Sequence, residues 1–260
     1  MASAAPPPGA NEAAGLSSEE RERYARQLGP GVLTLAGQQR LKQSTVLVTR
    51  AGGLGGPAAL TLTMAGVGRI IIAHGGQLRS PDLNRQVLGA ELALDQPRAP
   101  HFGEHLRSVN RFVEVEAIDH EPNDQEAHTL AGRADIVLSC APTFEERLRL
   151  NAAAVAHDIP LIDAAQWGMT GTLMVLKPGS TACLRCVYPQ TPEFEEMFPV
   201  VGAISAAMGS LAALEAIKIL SGCGRPMWGK LLSYDGFHGH VREVELRRDP
   251  ECRTCSRRVT

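Results

Sequence analysis

Residues 46–56 read Val-Leu-Val-Thr-Arg-Ala-Gly-Gly-Leu-Gly-Gly, and no other segment restricts the fold as much. An apolar β-branched run enters a glycine turn and then a small-residue helix, the layout of a loop that cradles phosphate. A full G-x-G-x-x-G pattern would place its first glycine at position 50, where this chain has Arg50. The frame of a nucleotide loop is therefore present with one of its glycines replaced.

The surrounding sequence extends this unit. The pattern predicts helices over 18–28, 33–41, 56–64, 99–109, 124–131 and 144–156, alternating from residue 44 with strands at 44–48, 69–73, 113–118, 135–139 and 160–162. Strand-turn-helix-strand over 44–73 is a β-α-β unit of dinucleotide-fold type. Its continuation implies an α/β protein with a mainly parallel sheet and helices on both faces. After Gly168 the texture changes. Residues 171–176, 230–234 and 241–246 read as strands of a more antiparallel part, and 202–220 as a long helix of small residues. Residues 1–17, rich in Ala and Pro, read as a flexible tail. Residues 18–260 read as one domain, with a nucleotide-type half at 18–168 and an antiparallel, metal-binding half at 169–260.

Composition narrows the partners. The 260 residues are 44% hydrophobic with a formal net charge of −2, enough for a substantial core and too neutral to suggest nucleic acid or an anionic membrane as partner. Aromatic residues make up only 4%, so base-stacking platforms are not expected. The N-terminus has no basic start or long apolar region, and no uninterrupted run of about 18 apolar residues occurs, so the expected location is the cytoplasm with no span of a bilayer.

Four of the six cysteines form two C-x-x-C pairs, Cys183/Cys186 and Cys252/Cys255. Each pair can place two thiolates on one tetrahedral ion, and together they predict a closed structural zinc site with four cysteine ligands. Two disulfides, spare thiols or a redox C-x-x-C are the competing readings. A reducing compartment disfavours the disulfides, and redox chemistry needs no second pair. A closed site has no open coordination position, so no catalysis is assigned to it. Cys140 and Cys223 read as packing or loop cysteines.

Together these landmarks resemble the ThiF/MoeB/HesA family, relatives of the ubiquitin-activating enzymes. The resemblance rests on Arg23-Tyr-Ala-Arg-Gln27, Gly37-Gln38, Ala51-Gly-Gly-Leu-Gly55, Ala65-Gly-Val-Gly68, Leu83-Asn-Arg-Gln86, Cys183-Leu-Arg-Cys186, Gly209–Lys218 and Asp249–Cys255. They run in family order from about residue 20 to the end. The resemblance implies a Rossmann-like, mainly parallel sheet continued by antiparallel strands, a four-cysteine zinc site, and a homodimer or a heterodimer with a related catalytic chain. It also implies ATP and magnesium as ligands and a ubiquitin-like carrier protein whose C-terminal glycine is adenylated. Gly52, Gly53 and Gly55 match the loop, and Arg85 matches the phosphate-binding arginine. Arg26 matches the arginine supplied across the dimer, and Asp82 and Arg98 stand in the places of a family asparagine and lysine. The planar guanidinium of Arg26 and Arg85 suits phosphate oxygens.

The departures imply a degenerate nucleotide site. Arg50 replaces a loop glycine, where its side chain would fill phosphate space or bind an anion. His74 replaces the acid that holds the ribose. Pro142 replaces the aspartate that serves magnesium, and proline offers no oxygen ligand from its side chain. No cysteine occurs in 193–199 to act as a thiol nucleophile. No catalytic residue is assigned. Two main expectations follow: a pseudoenzyme that docks a carrier or catalytic homologue, or an active adenylyltransferase with a pocket rebuilt from Arg50, Asp82, Arg85 and Arg98. A binder of another phosphate-bearing ligand is the third. A nicotinamide dehydrogenase is disfavoured by the same two substitutions, Arg50 and His74.

Overall fold

The computed structural model describes residues 15–193 and 199–256. Most of the predicted tail, residues 1–14, lies outside them. Packed structure begins by Leu16, which is buried, and Ser17 forms a capping box with Glu20.

In chain order the elements are α1 (Ser18–Tyr24), α2 (Leu35–Gln43), β1 (Thr45–Thr49), α3 (Gly55–Ala65), β2 (Arg69–Ala73), α4 (Arg98–Val109), β3 (Glu114–Ile118), α5 (Asp124–Ala131), β4 (Ile136–Ser139), α6 (Phe144–His157), β5 (Leu161–Trp167), β6 (Thr170–Leu176), α7 (Leu184–Val187), α8 (Gly202–Ser221), β7 (Lys230–Asp235) and β8 (His240–Glu245). One eight-stranded sheet runs β3-β2-β1-β4-β5-β6-β7-β8. The pairs from β3 to β5 are parallel, and those from β5 to β8 are antiparallel. The switch falls at the hairpin around Gly168, where the sequence changes texture. The sequence-predicted strand at 160–162 is too short: β5 continues to Trp167 because it pairs along its length with β6.

Alternate residues of each strand feed two cores. Val46, Val48, Ile70 and Ile72 face α3, α4 and α8, packing with Leu62, Phe102 and Met208. Leu47, Ile71 and Val137 face α5 and α6, packing with Leu130, Leu150 and Ala154. This explains the near-continuous apolar strands, since a parallel sheet is covered on both faces.

Two glycines set close approaches around α3. A Cβ at Gly55 would stand 2.5 Å from the Arg50 carbonyl oxygen, and one at Gly209 would stand 2.2 Å from that of Leu54. α8 can therefore lie directly against the start of α3. By length and composition alone the helix α8 could cross a membrane, although Glu215 and Lys218 interrupt its apolar run. In the fold it packs on α3, β5 and α2, with Met208, Ala212 and Ala216 fully buried.

Candidate functional site

β1 delivers the chain into the turn at Arg50, whose φ of 56° lies in the left-handed region. A side chain there costs about 1 kcal/mol relative to glycine. Ala73 at the end of β2 accepts the Arg50 amide at 2.7 Å, and the Gly52 amide donates to the Arg50 carbonyl at 2.6 Å. Among the described residues, no backbone acceptor takes the amides of Gly53 and Leu54 at the head of α3. The backbone thus retains the character of an anion-binding helix start.

The Arg50 side chain does not offer its charge to the loop. Its Nε donates to both oxygens of Glu146 on α6, at 2.9 and 3.2 Å, and its Nη1 donates to Glu121. Glu121 also accepts the Gly75 amide at 3.0 Å. Arg50 is thus held between two carboxylates, which corrects the expectation that it reaches for an anion. Burial pushes the Glu146 carboxyl above its ordinary value, and the Arg50 charge opposes that rise.

A cleft of about 450 Å³ opens at the carboxyl ends of the parallel strands. Gly52, Gly53, Asp82, Arg85 and Arg98 all line it, beside Arg50, His74, Gln86, Pro142, Arg147 and Trp167. Gly55 lies buried in the first turn of α3, and Arg26 is not among the lining residues. Arg26 is exposed and makes no hydrogen bond or ion pair among the described residues.

Among the described residues, every arginine that lines the cleft has a carboxylate partner. Asp82 receives Arg85 at 3.2 Å and stands 3.5 Å from Arg98. Arg147 forms a buried two-point pair with Asp163, at 3.0 and 2.5 Å, and lies 4.4 Å over the Phe144 ring. Arg50 has Glu121 and Glu146. The field of the cleft is therefore largely neutralised from within. Asp82 is buried and also accepts the Arg79 amide at 3.0 Å.

His74 directly follows β2, buried between Phe102 and the loop. Burial, then the charges of Arg98, Arg50 and Arg85, depress its pKa to about 3, so the imidazole is neutral. Its Nε2 lies 3.3 Å from Arg98 Nη1; arginine only donates, so Nε2 is the acceptor. Cys140, also on the cleft wall, is buried, and burial pushes its thiol well above the ordinary value. That disfavours the thiolate a nucleophile needs.

Sequence reading did not anticipate Glu121, Glu146, Arg147 or Asp163. A cation at a loop glycine position was the available signal that carboxylates must be close, and Glu145-Glu146 follows Pro142 closely. Nothing local marked Glu121.

At the far end of α6 the four sulfurs of Cys183, Cys186, Cys252 and Cys255 lie within 4.8 Å of one another. The separations of 3.7, 3.9 and 3.5 Å for Cys183–Cys252, Cys183–Cys186 and Cys186–Cys255 are far beyond a disulfide bond. Zinc–sulfur bonds of about 2.3 Å give tetrahedral edges of about 3.8 Å, so the donor set fits a metal ion such as zinc.

The fold and these two centres define a class: a Rossmann-like cleft on a sheet with an antiparallel extension, stapled by a four-cysteine knuckle. The chain belongs to the ThiF family, whose model matches residues 24–254. Protein HesA, heterocyst, of Trichormus variabilis is 41% identical over 241 residues, 92% of this chain and 90% of that one. The sulfur carrier protein ThiS adenylyltransferase of Escherichia coli is 38% identical, over 92% of this chain and 97% of its own length. The adenylyltransferase and sulfurtransferase MOCS3 of Mus musculus is 35% identical over 98% of this chain and 57% of its own. The structure of E. coli MccB with AMPCPP and MccA superposes with a TM-score of 0.79 at 21% identity, covering 90% of this chain and 74% of that one, a likeness of fold.

Proposed function

We propose that this chain is a docking member of its family, with ATP-dependent adenylation weakened or lost. In this reading it binds a ubiquitin-like or sulfur-carrier protein, or a related catalytic chain, as part of a homodimer or heterodimer in the cytoplasm. The observation that carries the reading is the pairing of all four cleft arginines among the described residues with carboxylates of the same chain. A triphosphate entering the cleft must compete with those carboxylates for the guanidinium groups, and a metal ion finds Pro142 where an oxygen ligand is needed. Of the two acids that line the cleft among the described residues, Asp82 is already engaged and Glu193 is exposed.

Three surface features support docking. Trp167, Val201 and Phe237 are exposed apolar residues gathered by the β5–β6 turn, where the Val201 amide meets the Gly168 carbonyl and the Gly236 amide meets that of Met169. Ala203, Ala207, Ser210 and Leu214 line an exposed face of α8. Arg26, exposed and unpaired among the described residues and outside the lining of its own cleft, is available to a partner. The antiparallel half, 169–260, then serves as the docking half, with zinc tying its end to the body, and 18–168 as the nucleotide-type half.

A second reading, an active adenylyltransferase acting on the C-terminal glycine of a carrier, is favoured by the cleft itself, which keeps Gly52, Gly53, Arg85 and Arg98 on its wall and leaves two loop amides without a backbone acceptor among the described residues. Calorimetric titration of the full chain with ATP and magnesium, with and without candidate carriers, separates the two. The docking reading expects carrier binding with weak or absent nucleotide heat. Carrier-dependent ATP–pyrophosphate exchange abolished by Arg85→Ala would establish the second reading instead.

A further inference from the structure

Asn151 sits on α6, 2% exposed, four residues after Arg147. Its Nδ2 donates toward Cys183 Sγ at 3.7 Å, and its Oδ1 accepts the Leu184 amide at 2.8 Å. One side chain thus holds a sulfur of the knuckle and the backbone just after it. The distance is ordinary for an N–H to sulfur contact, because sulfur is large. Four thiolates around a divalent ion leave a net charge of −2, concentrated on sulfur, and an amide N–H aimed at one sulfur stabilises that charge. On the other knuckle, Arg248 donates to the Cys255 carbonyl at 2.8 Å and the Gly179 carbonyl at 3.1 Å. Both knuckles are therefore held by neighbouring side chains, but among these contacts only that of Asn151 reaches a sulfur.

We propose that Asn151 is a positioning residue of the four-cysteine metal site, fixing the Cys183 rotamer and stabilising its thiolate. The inference rests on the metal reading of the cluster. The two contacts of Asn151 can be separated by comparing two substitutions. Asn151→Asp keeps an oxygen for the Leu184 amide, at nearly the same size, and replaces the N–H donor with a negative oxygen facing sulfur. The new carboxylate repels the thiolates by itself, so Asn151→Ser, which removes the donor without adding charge, is compared with it. A role confined to holding the backbone would leave the sulfur-to-metal absorption unmoved in Asn151→Ser; a role at the sulfur shifts it and weakens metal binding, by roughly tenfold to a hundredfold on the scale of outer-shell substitutions at metal sites.

The test is competition between the purified full chain, loaded with zinc, and a chromogenic chelator. The native chain, Asn151→Asp and Asn151→Ser are compared, and the sulfur-to-metal charge-transfer band of cobalt-substituted samples is recorded. Weaker metal retention in both variants with a shifted cobalt band is the expected result. Native affinity with an unshifted band in either variant overturns the role of Asn151 while leaving the metal site standing. A native chain that retains no metal at all overturns the metal reading, and this inference with it.

Discussion

Arg50 and Glu146 are joined by two hydrogen bonds, 2.9 and 3.2 Å from one guanidinium nitrogen to the two carboxylate oxygens. The pair closes the space beside the glycine turn with charges that cancel. It also makes each residue depend on the other, because the Glu146 side chain is 5% exposed.

Arg50→Gly has two opposed effects. Glycine relieves the left-handed backbone by about 1 kcal/mol. It also strands Glu146 in a buried position, a loss of roughly 3–5 kcal/mol for a fully buried pair and less here, since Arg50 keeps 24% of its side chain exposed. The net expectation is destabilisation of about 2 kcal/mol in urea unfolding. Adding Glu146→Gln should recover most of it. A single variant as stable as the native chain would show that the pair contributes nothing.

How much of this was visible in the sequence follows from the distances involved. The strand-turn-helix at 46–56 and the C-x-x-C pairs are local patterns, and both fall where the reading placed them. The arginines at 50, 85 and 98 were also found, because each sits in a short motif. Their neutralisation was not legible. Glu146 lies 96 residues from Arg50, Glu121 lies 71, and Asp163 sits 16 beyond Arg147. No periodicity links such positions; only the crossover order of the sheet brings them together. The apolar composition of α8 likewise cannot say whether protein or lipid covers it.

Stability should fall in mild acid because of His74. Its folded pKa is about 3 against an ordinary 6.5, so between these values the unfolded chain binds the proton and the folded chain does not. The contribution is therefore complete above pH 6.5 and is lost as pH falls toward 3. The slope approaches ~1.4 kcal/mol per pH unit, so about 2 kcal/mol should be lost between about pH 7 and pH 5. Glu20, Glu116, Glu126 and Asp235 are displaced downward, away from that range; Glu146 is displaced upward by burial, so its folded carboxyl takes up a proton first and opposes the loss. His74→Phe should flatten the profile across the same window. An equal slope in native and variant chains would assign the acid sensitivity elsewhere.

Removing the metal should loosen the end of the chain. Cys252 and Cys255 reach back to Cys183 and Cys186, so a bound ion ties the segment after β8 to α7. Metal binding contributes folding free energy directly, and zinc can be withdrawn by a strong chelator. Chelation, or Cys252→Ser, is expected to lower Tm and to expose residues 247–256 to protease before the rest of the chain. Unchanged Tm and cleavage pattern, with the metal demonstrably gone, would assign the cluster no structural role.

Nucleotide binding can be used to ask whether the change in the cleft is local. Arg50→Gly restores the loop glycine, His74→Asp a ribose acceptor, and Pro142→Asp an oxygen ligand for a divalent cation. Those three substitutions alone leave two problems that the structure exposes. Glu146 would stand unpaired beside the phosphates, so Glu146→Gln belongs in the same chain. His74→Asp would also exchange an imidazole whose Nε2 is 3.3 Å from Arg98 for a carboxylate, drawing that arginine toward the ribose position. Nucleotide then has to compete with this new ion pair for the carboxylate, and charged groups in a partly dry cleft interact strongly. The expected outcome is magnesium-dependent ATP binding at least roughly tenfold tighter than native, about 1.4 kcal/mol, by calorimetry. Omitting Glu146→Gln should forfeit part of that gain through repulsion of the phosphates. No gain in the fourfold variant, provided it folds with native Tm, would mean that these positions do not limit nucleotide binding and would turn attention to the Asp82–Arg85–Arg98 cluster.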